Sequence, residues 1–337
     1  MLFVFSPHDV FALARRRGGV MGCIRCIATA LLFIILSCSQ AHCADVLRIG
    51  ALPAADSLIL YAAVEDGAFS SRGLDVRVVP FQSALELGAA MRAGALDGHF
   101  GDIINVLMQN ESGARQAIIA TTSHSAPGAR HFGLAVSPAC KAQSLAELKG
   151  KTCSIGRATI VEFVLDMLLE KGGAAGTLEK VDIRQIPARL QMLLSGRIDS
   201  ALLPEPLLSL AEERGAHTVM DDGVLDIPLA VIALRVPEGG MDDSFADRAD
   251  RFRAALAEEA ERINASPEAY KEMMKKLKLI APQAMARYAM MRFRVGVTPL
   301  GLPTAEDVNA YAEWMQRFSI LKKGCPSIGD IAYQAKP

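Results

Sequence analysis

Val46-Leu-Arg-Ile-Gly-Ala-Leu-Pro53 opens the stretch that decides the fold, and Leu96-Asp-Gly-His-Phe-Gly-Asp102 closes it. Between them, short apolar runs alternate with longer segments that begin near serine or aspartate and end at glycine. Serine and aspartate cap helix amino termini, and glycine follows helix ends, so the stretch predicts strand, helix, strand, helix, strand. Strands that alternate with helices form a parallel sheet with helices packed on it. We therefore expect an α/β fold.

The same design recurs in the second half of the chain. Ala93-Gly-Ala-Leu-Asp-Gly-His-Phe100 and Ser195-Gly-Arg-Ile-Asp-Ser-Ala-Leu202 both place a helix end, a glycine, an aspartate and a strand in that order. Each closes a βαβαβ unit. After residue 243 the sequence predicts only helices, at residues 244–264, 267–277, 282–290 and 304–319. We expect two Rossmann-like lobes with a cleft between them, followed by a helical tail.

Composition excludes several classes of protein. The chain has 337 residues, of which 51% are apolar, and a net charge of −1, which excludes a disordered chain. The balanced charge gives no basis for nucleic-acid binding. No spacing of cysteines or histidines indicates a zinc or iron–sulfur site, so we expect no metal and no cofactor.

The amino terminus predicts export. Three arginines at 15–17 precede an apolar run at residues 26–36, which is too short to span a bilayer and has the length of a signal-peptide core. We assign residues 1–43 as a signal peptide and expect a periplasmic location. Met1 and Met21 both remain as starts, because the shorter leader would still carry Arg25 directly before the apolar run.

Two processing routes are open at the end of this leader. Ser39 and Ala41 provide the small residues of an ordinary cleavage site. Alternatively, Ile35-Leu-Ser-Cys38 resembles a lipoprotein box, in which Cys38 would be acylated. Leu36 is bulky for its position in such a box, so soluble export is favoured.

Cys140 and Cys153 lie close together in the mature chain. An oxidising compartment would allow a disulfide between them if their Cα atoms lie within about 7 Å. The alternative is a buried strand residue at Cys153 and a loop thiol at Cys140.

Several motifs carry a resemblance to a known family. Leu145-Ala-Glu-Leu-Lys-Gly-Lys-Thr-Cys-Ser-Ile155 resembles a signature of type II periplasmic substrate-binding proteins. Ala95-Leu-Asp-Gly98 with Gly101-Asp102, and Arg197-Ile-Asp-Ser-Ala201 with Pro204-Glu-Pro206, resemble the nitrate, sulfonate, taurine and thiamine-precursor branch. The resemblance covers about residues 46–233.

This resemblance implies a fold, a function and partners. The fold would be two lobes joined by a hinge of two crossing segments, with residues 44–131 and 227–337 in the first lobe and residues 132–226 in the second. The protein would close on a small-molecule ligand and deliver it to the permease and ATPase of an ATP-driven (ABC) importer. We expect a monomer that binds no nucleic acid and is not an enzyme.

The ligand should lie where both lobes present strand ends and helix starts. The residues that we expect to bind it are Ala55, Asp56, Ser83, Gly101, Asp102 and Ser123 in the first lobe, and Arg157, Ala158, Thr159 and Glu205 in the second.

These residues would have different roles. Ser83 and Thr159 could hydrogen-bond a ligand or only cap their helices. Arg157 could pair with a carboxylate or sulfonate, or point to solvent. Asp56, Asp102 and Glu205 would accept hydrogen bonds, which favours a zwitterion or a neutral nitrogen heterocycle over a doubly charged anion. That charge argument fails if two of the acids are merely caps.

Other functions remain as alternatives. One is a biosynthetic enzyme of the same fold, of the thiamine-precursor or menaquinone type. The cysteine-rich iron motif of the fungal pyrimidine synthases is absent here, and such enzymes are cytosolic. Another is a ligand-sensing subunit, which would normally be fused to a membrane span and a signalling domain.

Overall fold

A computed structural model describes residues 46–293 and 300–334 of the chain. The predicted signal peptide, its cleavage site, Cys38 and Met21 lie outside the described residues. Within those two ranges, no helix has the length and apolar character needed to cross a membrane.

The strands of the described chain form two sheets. In chain order they are β1 (Leu47–Ala51), β2 (Val76–Pro80), β3 (Gly98–Gly101), β4 (Gln116–His124), β5 (Phe132–Val136), β6 (Thr152–Ile155), β7 (Glu179–Asp182), β8 (Ser200–Pro204), β9 (His217–Asp221) and β10 (Pro228–Arg235). The α-helices are α1 (Leu58–Glu65), α2 (Ala84–Arg92), α3 (Ile103–Glu111), α4 (Ile160–Lys171), α5 (Ile186–Leu194), α6 (Leu207–Glu213), α7 (Asp243–Ala265), α8 (Pro267–Lys276), α9 (Ala305–Arg317) and α10 (Ile328–Ile331).

The two sheets have the same topology. The strand order is β2-β1-β3-β10-β4 in the first sheet and β7-β6-β8-β5-β9 in the second. We call the first sheet with α1–α3 and α7 the first lobe, and the second sheet with α4–α6 the second lobe. The lobe boundaries expected from the sequence stay predictions.

The expectation of purely parallel sheets is wrong for one inner strand of each sheet. β10 runs antiparallel to β3 and β4, and β5 runs antiparallel to β8 and β9. Both strands are the first that the chain forms after it crosses from one sheet to the other. A helical crossover within one sheet keeps successive strands parallel, whereas a strand that arrives from another sheet is free of that constraint.

The repeated aspartate of the sequence has the same structural role in both sheets. Asp97 Oδ2 accepts a hydrogen bond of 2.8 Å from the backbone N–H of Arg48, at the start of β1. Asp199 Oδ2 accepts one of 3.0 Å from the N–H of Thr152, at the start of β6. Each aspartate therefore fastens the third strand of its unit to the first.

The two segments that cross between the sheets are hydrogen-bonded to each other. The N–H of Ser125 donates to the carbonyl of Ile227 at 2.9 Å. Asp222 Oδ1 accepts from the N–H groups of both His131 and Phe132 at 2.8 Å. The crossing segments thus form a paired connection, as a hinge of two strands requires.

Two local expectations differ from the structure. β9 at His217–Asp221 is an edge strand beside β5 that the repeated βαβαβ pattern of the sequence does not include. The helix expected at 282–290 is only a short 3-10 turn, Pro282–Ala284. Tyr288 and Phe293 are buried just beyond that turn. We attribute the missing helix to their packing, which outweighs the weak helix propensity of this segment.

The helical tail packs on both lobes. Phe252 of α7 packs against Phe69 of the first lobe with tilted rings, whose centroids lie 4.5 Å apart. Tyr311 of α9 stacks on Phe163 of α4 at 4.1 Å, and Trp314 Nε1 donates to Asp166 Oδ2 of the same helix at 3.0 Å. α9 therefore contacts the second lobe as well as α3 of the first.

Candidate ligand-binding site

A cavity of about 300 Å³ lies between the two lobes. Its first-lobe wall is formed by the end of β1, the amino-terminal parts of α2 and α3, and the end of β3. Its second-lobe wall is formed by the turn after β6, the start of α4 and part of α5. The volume is at the lower end of the range for small-molecule sites, roughly 300–1,000 Å³.

Most of the residues expected to bind a ligand line this cavity. They are Asp56, Ser83, Gly101, Asp102, Arg157, Ala158 and Thr159. Ala55, Ser123 and Glu205 are not among its lining residues. They lie behind the wall: Ser123 hydrogen-bonds Asp56, and the N–H of Ala55 donates to the carbonyl of Glu205 at 3.3 Å.

The two hydroxyl residues cap helices. Ser83 Oγ accepts from the N–H of Glu86 at 3.3 Å, at the start of α2. Thr159 Oγ1 accepts from the N–H of Val161 at 3.2 Å and donates to the carbonyl of Gly156 at 2.6 Å. The hydroxyl groups of Ser83 and Thr159 are therefore engaged in hydrogen bonds within the protein, in the capping role.

Asp102 caps helices of both lobes with one carboxylate. Its Oδ1 accepts from the N–H of Asn105 at 2.7 Å, which caps α3. Its Oδ2 accepts from the N–H of Ile160 at 3.1 Å, at the first residue of α4. Burial raises the pKa of Asp102, and these two backbone hydrogen bonds oppose the shift. The carboxylate therefore joins the two walls of the cavity.

The carboxylate of Asp56 accepts hydrogen bonds from two neighbouring hydroxyl groups. Its Oδ2 accepts from Ser123 Oγ at 2.5 Å and from Thr122 Oγ1 at 3.4 Å. Burial raises the pKa of Asp56 to about 6, against the opposing effect of these hydrogen bonds.

Glu205 is hydrogen-bonded to Arg130 of the first crossing segment and to Ser209 of α6. Its Oε1 accepts from Arg130 Nη2 at 2.6 Å and Nε at 2.9 Å, and its Oε2 accepts from the N–H of Ser209 at 3.0 Å. Asp102 caps α3 and α4, and Glu205 accepts from an N–H in the first turn of α6 and pairs with Arg130, so two of the three acids are engaged as caps. These two acids therefore give no reason to disfavour a doubly charged anion.

Arg157 is the most exposed of the expected contacts. Its side chain is 59% exposed, and Nη1 lies 3.9 Å from a carboxylate oxygen of Glu162. Its backbone N–H donates to Asp182 Oδ1 at 3.0 Å. The next residue, Ala158, has a positive φ of 55°, which turns the chain sharply into α4.

Arg189, the most buried cation of the cavity, is not among the residues predicted to bind a ligand. This side chain is 1% exposed and lines the cavity. Ile186, Leu190 and Leu193 form the buried face of α5, and Arg189 lies on that face. An arginine at an apolar position of an amphipathic helix was the available signal.

Of the two alternatives left open for Cys140 and Cys153, the structure has the free thiols and not the bridge. Cys153 is completely buried in β6. Cys140 is partly buried. In the parts of the chain that the structure describes, no cluster of three or more His, Cys, Asp or Glu residues could hold a metal ion.

Comparison with solved structures defines the class of fold. The alkanesulfonate-binding protein SsuA from Xanthomonas axonopodis pv. citri, bound to MOPS, is 16% identical with a TM-score of 0.69, over 85% of this chain and 97% of that chain. The ligand-binding component of an ABC-type import system from Staphylococcus aureus, with zinc bound, is 17% identical with a TM-score of 0.69, over 86% and 96%. The periplasmic aliphatic sulphonate binding protein SsuA from Escherichia coli is 16% identical with a TM-score of 0.67, over 85% and 97%. The chain thus has the type II periplasmic binding protein fold, with two α/β lobes around a cleft.

The family follows from a match to the sequence itself. The family model described as "NMT1/THI5 like" matches residues 54–222. That segment contains most of both sheets, and the chain belongs to this family. No curated protein matches the chain.

Proposed function

We propose that this chain is an exported solute-binding protein of an ABC importer. It captures a small solute in the cavity between the lobes and delivers it to a permease and its ATPase. The observation that carries the proposal is the cavity of about 300 Å³ between strand ends and helix starts of two similar lobes. The three similar structures are binding proteins or binding components, which supports the same role here.

The contacts across the cavity support a closing mechanism. Besides the bond from Ile160 to Asp102, the N–H of Ile186 donates to the carbonyl of Gln82 at 3.4 Å. The bond between Ala55 and Glu205 is a third connection between the walls. These contacts involve helix starts and loops, so rotation at the paired crossing segments can break or form them together.

The proposed function also includes export of the chain and the absence of catalysis. Residues 1–43 act as a signal peptide, and the mature chain is a soluble periplasmic monomer without a lipid at Cys38. The chain is not an enzyme. In support, Asp56 and Asp102 in the cavity wall are engaged in hydrogen bonds that stabilise the fold, which leaves neither as a free general base.

Blocking the cavity tests this function. Ala84 is half-buried at the start of α2 and lines the cavity, whereas Ala89 of the same helix is exposed and does not. After the protein has been unfolded and then refolded, we expect at least one member of a library of small metabolites to raise its melting temperature. Ala84→Trp should abolish that gain, and Ala89→Trp should keep it.

Two results would contradict the proposal. One is a library in which no compound raises the melting temperature of the refolded protein. The other is an Ala84→Trp variant that responds to the same compound as strongly as the unmodified chain.

A further inference from the structure

Arg189 is a buried cation that forms no ion pair with a carboxylate of the described residues. Its Nε and Nη2 are buried and have no hydrogen-bond partner among residues 46–293 and 300–334. The side chain is 1% exposed and lies in the cavity wall, where Nη1 comes so close to Gly156 that a Cβ there would lie 2.8 Å from it. Gly156 therefore leaves the space that brings the guanidinium to the cavity.

The neighbouring acidic groups do not neutralise this charge. The carboxylate of Asp182 lies near enough to act on Arg189, but it accepts from the N–H of Arg157 at 3.0 Å and from Arg184 Nε at 3.0 Å. Burial raises the pKa of the Cys153 thiol to about 11, so this neighbour is neutral at pH 7. Burial lowers the pKa of Arg189 to about 10, which leaves the guanidinium charged at pH 7.

Positively charged side chains outnumber negatively charged ones in the lining of the cavity. Four arginines (Arg92, Arg157, Arg184 and Arg189) and two aspartates (Asp56 and Asp102) line the cavity. Both aspartates accept hydrogen bonds from the protein, and Asp56 titrates near pH 6. An unpaired buried charge is costly, and an oxyanion that accepts two parallel N–H bonds from a guanidinium removes that cost.

The uncharged side chains of the lining indicate which chemical groups the rest of the ligand carries. Large apolar side chains occupy both walls: Leu52, Phe100, Met108, Phe132, Ile186 and Leu229. On α3, Asn105 Oδ1 and Gln109 Oε1 are buried and have no hydrogen-bond partner in the described part of the chain, and both residues line the cavity. These amides can accept from a donor group on the ligand.

We propose that Arg189 is the specificity-determining contact of the cavity, and that it selects a small organic anion. The oxyanion head, a carboxylate or a sulfonate, pairs with the guanidinium, and a short apolar body contacts the surrounding hydrophobic side chains. This inference rests on the proposed function, because it assumes that the cavity takes up a solute.

The test uses four probes with one apolar body: sodium butanoate, sodium butanesulfonate, butanamide and butylammonium chloride. The proteins are the unmodified chain, Arg189→Met, Arg189→Lys and Arg197→Met. Arg197 is an exposed arginine outside the cavity, so its variant is a control with the same loss of charge. Thermal unfolding without a probe and with a titration of each probe gives both stability and affinity.

We expect one or both anions to raise the melting temperature of the unmodified chain, and the amide and the ammonium ion to have no effect. Arg189→Met should weaken anion binding by more than about thirtyfold, Arg189→Lys should weaken it less, and Arg197→Met should leave it unchanged. Without a probe, Arg189→Met should melt at the same or a higher temperature, because it removes an unpaired buried charge.

Three results would overturn the inference. Arg189→Met could bind the anion as tightly as the unmodified chain. Alternatively, Arg189→Met could melt several degrees lower than the unmodified chain when no probe is present, and neither anion could raise the melting temperature of the unmodified chain. Arg189 would then have a structural role. The amide or the ammonium ion could bind while the anions do not, and then the solute-binding function would stand and the charge selection would fail.

Discussion

Asp56 connects the stability of the first lobe to pH. Burial raises the pKa of its carboxyl to about 6, although Ser123 and Thr122 donate hydrogen bonds to it. An aspartate in the unfolded chain titrates near pH 3.9. Between about pH 4 and pH 6 the folded protein therefore holds a proton that the unfolded chain has released. The free energy of unfolding contributed by this group falls as pH rises through that window and is constant above it.

The variant Asp56→Asn should remove this dependence, because the amide oxygen still accepts from Ser123 and does not titrate. Relative to the unmodified chain, its free energy of unfolding should rise by about 1–3 kcal/mol between pH 4 and pH 6.5. Denaturant unfolding at several pH values measures the difference. Asp75→Asn, at an exposed position, should show no such trend. Parallel pH profiles for Asp56→Asn and the unmodified chain would contradict the assignment.

Residue types could be predicted better than residue roles at this scale. The sequence indicated Ser83, Asp102 and Thr159 at helix starts, and each of them caps its helix. It did not indicate Arg189, because the significance of that residue depends on which acids across several elements already have partners. The sequence alone does not show which acidic side chains near Arg189 are already hydrogen-bonded to other groups.

The starts of α3 and α4 are coupled through Asp102. One oxygen caps α3 within the first lobe, and the other holds the first N–H of α4 in the second lobe. A carboxylate can accept at both oxygens, whereas an amide has only one accepting oxygen. The pairing of these two helix starts depends on the ionised side chain.

The variant Asp102→Asn should therefore keep the cap of α3 and lose the bond to Ile160. We expect amide hydrogen exchange at Ile160 to become faster by roughly two- to tenfold, as for the loss of one ordinary hydrogen bond. Asp242→Asn is the matched control, because Asp242 caps only α7 through the N–H of Phe245. Unchanged exchange at Ile160 in Asp102→Asn would show that this bond does not hold the lobes together.

The order of the elements could be predicted where the pattern is local. Helix caps and glycine stops indicated α2, α3 and α4, and the repeated aspartate indicated that two units have one design. The direction of β5 and β10 could not be predicted, because it depends on the path of the chain between the sheets. β9 was missed because an edge strand with half-exposed residues lacks the clear alternation of a buried strand.

At the scale of the whole molecule, two similar lobes are joined by paired crossing segments and share a helical tail. Ser125 with Ile227, and Asp222 with His131, fix the connection. α9 packs on α3 of the first lobe and on α4 of the second, so it is a further connection between the lobes. The first hydrophobic cluster likewise contains residues of both lobes, such as Phe100 and Leu203.

Native mass spectrometry of the chain from residue 44, purified without added ligand, shows directly whether the protein holds a small solute. We expect an additional mass of a small organic anion, which denaturation removes and which returns when the refolded protein is incubated with the low-molecular-weight fraction of a cell extract. Arg189→Met should not recover that mass. A protein that carries no additional mass after purification, and that gains none from the extract after refolding, would contradict the proposed capture of an anionic solute.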